Sequence, residues 1–91
     1  MTMTTHNRTT LDAIRAIVTR HPRRLVTLAH ARAALRAVDL LDRKASAAEG
    51  DTERRYRFAA ATLLARVEDY CARSGCDPWC GFEHLRALTS A

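Results

Sequence analysis

The residues of this chain best equipped for chemistry stand close together: Cys71, Cys76, Cys80 and His84, all within fourteen positions. Thiolates and imidazole are zinc ligands, so this group is a candidate metal set. Cys80 and His84 are four apart on an expected helix and can face one ion. The spacing nevertheless lacks the paired C-x2-C knuckle of common zinc modules. Two other uses compete with metal. A disulfide between two of the three is geometrically open, although cytosolic thiols stay reduced. All three can also pack as small apolar residues at a helix junction, and that is the favoured reading. Zinc is thus the one candidate cofactor, and none is expected.

Other reactive groupings are scarce. A nucleophilic cysteine needs a base that stabilises its thiolate and a cleft for substrate. His84 is near enough in sequence to Cys80, but a pair one turn apart in mid-helix offers no cleft. His21 and His30 have no acidic company at useful spacing, and no Gly-rich phosphate loop, G-x-S-x-G elbow or H-E-x-x-H occurs. The expectation is a protein that is not an enzyme.

Charge is the other chemical resource. Fourteen arginines and a single lysine, Lys44, face ten acids, for a net charge of +5. That balance favours an acidic partner, either a protein face or nucleic acid. Arginine in particular suits bidentate contact with carboxylates and phosphates. Arg32, Arg36, Asp39 and Arg43 recur at helical spacing as one charged line. Arg55, Thr62, Arg66, Asp69 and Arg73 form a second. The candidate partner-binding residues are therefore Arg32, Arg36, Arg43, Arg55, Arg66 and Arg73. Two further clusters, Arg23-Arg24 and Arg54-Arg55-Arg57, fall at opposite ends of a helical hairpin. Acids lie between them, which argues against one continuous phosphate track and ranks nucleic acid second.

These residues must be positioned by helices. The composition is rich in alanine and arginine and poor in glycine and proline, with 47% apolar residues. Ninety-one residues suit one domain with a thin burial margin. The fold class expected is all-α: a small bundle over residues 9–91, preceded by a loose tail at 1–8. Thr9 and Asp12 resemble a capping box and open a first helix at about 10–20. Pro22 starts a long second helix, 22–48, that is apolar on nearly all sides and so reads as central. Gly50 stops it, and Asp51 or Thr52 caps a third at 52–74 with a seam of Tyr56, Ala60, Leu63, Val67 and Tyr70. Asp77-Pro78 caps a short last helix at 78–88 carrying Trp79, Phe82 and Leu85.

The function expected is that of a small non-catalytic regulator or inhibitor, binding an acidic protein through its arginine-rich helical surface. In character the chain resembles small stand-alone proteins of phages and mobile elements, including anti-CRISPR inhibitors, a likeness of kind carried by no motif. The wide apolar girth of the second helix suits a homodimer. No hydrophobic leader or membrane-length apolar run is visible, which makes cytoplasm the expected compartment and excludes a membrane partner.

Overall fold

The computed structural model describes the backbone of residues 2–86 and the side chains of residues 10–86. Four helices follow one another: α1 (Thr2–Thr19), α2 (Leu28–Ser46), α3 (Gly50–Ser74) and the short α4 (Glu83–Arg86). The class is the expected one, a small all-α bundle. Among the described residues, no helix is long and apolar enough to cross a membrane.

The core forms where α2 and α3 run antiparallel across a three-residue connection, Ala47 to Glu49. On α2, Ala31, Ala34, Leu35, Val38, Leu41 and Ala45 make one buried stripe, at the three-and-four spacing that puts residues on one helix face. From α3, Ala60, Leu63, Val67 and Tyr70 meet them along the expected seam, with Tyr56 packed at its edge. The many alanines let the two backbones approach closely. Leu35, Leu41 and Leu63 are fully buried at this contact, each contributing about 1.5–3 kcal/mol. Ile14, with Ile17 and Val18 beside it, brings α1 onto α3, while Trp79 and Leu85 close the other flank.

Several boundaries differ from the sequence expectation, each for a physical reason. The backbone of residues 2–8 is helical rather than a loose tail, and neither glycine nor proline interrupts it. Thr9 is therefore inside α1 and does not cap it. The second helix begins at Leu28, not Pro22. Thr27 caps it, its Oγ1 accepting from the His30 N–H at 3.1 Å. Ahead of that cap, Leu25 is fully buried and its carbonyl accepts from Arg73 of α3 at 2.9 Å. Anchoring by Leu25 holds residues 20–27 as an irregular connection.

At the other end of α2 the cap is Ala47, and Gly50 opens α3 with φ +61° instead of closing α2. Gly75 ends α3 in the left-handed region as expected, its N–H bonded to the Cys71 carbonyl. Asp77 does hold a turn, accepting from the Trp79 N–H at 2.9 Å. No helix starts there, because Gly81 adopts φ +86° within a turn in which the Phe82 N–H donates to the Trp79 carbonyl. Helix α4 is consequently four residues long up to Arg86, and residues 87 and 88 lie outside the described residues.

These shifts relocate the centre of the molecule. At 25 residues, about 37 Å, α3 is the longest helix and the one packed against both α1 and α2. Helix α2 buries a single stripe. Beside it Ala37 is also buried, while Leu40 is 45% exposed and Val26, just ahead of the helix, 70% exposed.

Candidate partner-binding surface

The six candidate arginines divide into two groups. Arg32, Arg66 and Arg73 reach across to main-chain carbonyls of other segments. Arg32 donates from Nη1 to the carbonyls of Pro78 and Cys80, at 3.0 and 2.9 Å, and lies 5.2 Å over the Phe82 ring. Arg66 reaches the carbonyls of Val18 and His21, each at 3.4 Å, and so covers the unsatisfied C-terminus of α1. Arg73 holds both the Leu25 carbonyl and Asp69. All three join parts of the chain that helical hydrogen bonding leaves loose. They act as structural struts between separate segments of the chain.

Arg36, Arg43 and Arg55 remain outside. Arg43 pairs with Asp39 at 3.1 Å and is largely in water, where such a pair contributes little. Asp39 also meets His84 Nε2 at 2.9 Å, so the charged line of α2 is covered at one end by the C-terminal segment and bridged at the other. Arg36 and Arg55 are exposed and enter no ion pair among the described residues.

The cysteines do not converge. Among the described residues, no three of His, Cys, Asp and Glu form a group able to hold a metal ion. His84 turns to Asp39 of α2, while Cys76 and Cys80 are exposed free thiols. Cys71 is half-buried against the core, and burial pushes its thiol up despite a hydrogen bond from the Trp79 side chain. A thiol displaced in that direction is a poorer nucleophile at neutral pH.

One concave feature of the described residues is not suggested by the sequence. A groove of about 660 Å³ runs between α1 and α3, lined by Leu11, Ile14, Val18, Phe58, Ala59 and Thr62. Arg15 of α1 and Arg54 and Arg55 of α3 stand along it. Phe58 is 77% exposed, the most open large apolar side chain described. Two residues past Tyr56 of the seam, it is turned about 200° away from the α2 contact. An aromatic off the seam, among arginines, was the available signal. The opposite wall escaped notice because Leu11, Ile14 and Val18 read as ordinary core positions. Only Ile14 is fully buried, since α1 packs on α3 while α2 occupies the far side.

Electrostatics reinforce the basic character of this half. His21, at the end of α1, is held below the usual histidine range by partial burial, then by Arg20, Arg66, Arg36 and His30. Near the start of α3 the charges cancel instead: Arg54 pairs with Asp51 at 2.7 Å, and Arg57 bridges Asp42 and Glu53 at 3.1 and 3.0 Å.

Comparison with protein-family models, with characterised proteins and with solved structures gives no match to this chain.

Proposed function

We propose that this protein is a small non-catalytic regulator or inhibitor that acts by binding another protein, and that the element it binds is an acidic amphipathic helix laid into the α1–α3 groove. The observation that carries this reading is the exposed Phe58 at the mouth of an apolar groove with unpaired arginines on both sides. From Asp51 to Thr62 the α3 wall measures about 16 Å, the length of three helical turns. A partner helix with apolar anchors at i, i+4 and i+7 fits that length. Arg15 and Arg55, one from each wall, would meet carboxylates on either side of the anchors. The chain's own +5 charge disfavours a second copy as the occupant, because it would bring arginines against arginines. A raised Cys71 thiol and a His84 engaged with Asp39 also support binding rather than catalysis.

The test is selection from a displayed library of amphipathic helices, followed by affinity measurement on the purified chain. Acidic helices should be enriched over basic ones. Phe58→Ser should weaken their binding at least tenfold with the melting temperature unchanged, and Arg15→Glu with Arg55→Glu should abolish it. The reading fails if selected helices bind equally well to all three proteins. It fails equally if light scattering finds a stable dimer that Phe58→Ser dissociates, since the groove would then hold a second copy.

A further inference from the structure

Between Asp12 and Asp39 the chain has no acidic residue, yet it carries Arg15, Arg20, Arg23, Arg24, Arg32 and Arg36 with His21 and His30. Folding concentrates this stretch at the corner where α1 gives way to α2. Arg66 crosses from α3 to the Val18 and His21 carbonyls and adds its own charge there. Arg20, Arg23, Arg24 and Arg36 are exposed, and none is in an ion pair among the described residues.

Six of the chain's ten acids are held in ion pairs. Asp39 is held by Arg43 and His84, Asp42 and Glu53 by Arg57, Asp51 by Arg54, and Asp69 by Arg73. Glu68 is two residues from Arg66 and so faces the other side of α3. The sequence had placed a rival arginine cluster at 54–57, at the opposite end. With Arg54 and Arg57 neutralised locally, Arg55 alone of that cluster stays outside an ion pair among the described residues, and the larger uncompensated group is the one at the corner.

We propose that the α1–α2 corner binds the phosphate backbone of a nucleic acid duplex, without sequence preference, through Arg20, Arg23, Arg24 and Arg36. A protein surface presents both signs of charge, and mixed charges answer it. A phosphate backbone presents one sign at every nucleotide, and a stretch with no acid of its own, beside an Asp69 already held by Arg73, is what avoids repelling it. No Phe, Tyr or Trp occurs between Asp12 and Asp39 to stack on an unpaired base, which favours a duplex over a single strand. This binding is independent of the α1–α3 groove.

Fluorescence anisotropy with a short labelled DNA duplex tests it on the intact chain. Four phosphate contacts imply a slope of log affinity against log salt near about −3.6, a loss of about 100-fold between roughly 50 and 200 mM salt. Arg23→Gln with Arg24→Gln should reduce that slope by about 1.8. Arg43→Gln with Arg54→Gln removes equal charge from exposed, locally paired sites and should leave it unchanged. Circular dichroism on each variant confirms that the fold persists. The proposal is overturned by absence of binding at the lowest salt, or by equal losses in the two double variants. It is also overturned if polyglutamate displaces the duplex as well as unlabelled duplex of equal charge does, which would reassign the corner to a carboxylate-bearing protein.

Discussion

Arg32 and Pro78 are joined across 46 positions of chain, the guanidinium of α2 donating to the proline carbonyl at 3.0 Å. The same nitrogen holds Cys80, and the guanidinium plane covers Phe82. One side chain thereby fastens the non-helical segment that carries Trp79, whose hydrogen-bonding groups no helix or sheet satisfies.

Removing that clamp should be costly. Arg32→Ala leaves two carbonyls without their charged donor, and a loss of about 2 kcal/mol is expected in urea unfolding. Arg32→Lys should recover only part of it, since an ammonium lacks the planar fork and the stacking surface. Trp79 is the single tryptophan, so its emission reports detachment directly. A red shift at urea concentrations below the loss of helical signal is the expected signature.

That arginine also marks where sequence reading stops. Its period placed it on the charged line of α2, and the line exists. Period says which side chains share a face and nothing about what arrives to cover it. The same holds for Arg66 and Arg73. Their acceptors are backbone carbonyls about 45 positions away, and a carbonyl leaves no trace in a residue pattern. The α3 seam was legible because the residues meeting it lie on the adjacent helix, across a connection too short to allow another arrangement.

Stability should depend on pH through His21. Its folded pKa lies below the ordinary 6.5, so the folded chain holds fewer protons than the unfolded chain in that range. Stability from this residue is complete above about pH 6.5, falls as pH drops through the folded value, and then levels off. His21→Gln should flatten the dependence of the denaturation midpoint on pH across this window. The Arg66 bond to the His21 carbonyl is to backbone and survives the substitution. An unchanged dependence would remove His21 as its source.

Thiol reactivity should separate the three cysteines. Cys76 and Cys80 are exposed and should react quickly with an aromatic disulfide reagent at neutral pH. Cys71, half-buried with a raised pKa, should react slowly until denaturant is added. Stoichiometric zinc should leave the melting temperature unmoved, because His84 faces Asp39. A marked rise would require the four groups to be drawn together.

The helical class, the α2–α3 seam and the glycine stop after α3 were determined by the sequence alone. Each depends on contacts within a helix or with its neighbour in the chain, where spacing and residue type are sufficient. The tertiary structure alone decided that α3 is central, that Leu25 delays the start of α2, and that three of six arginines reach across to main-chain carbonyls of other segments. It alone also opened the groove beside Phe58. Those outcomes depend on which distant backbone groups need a donor and which faces remain uncovered once the helices have packed.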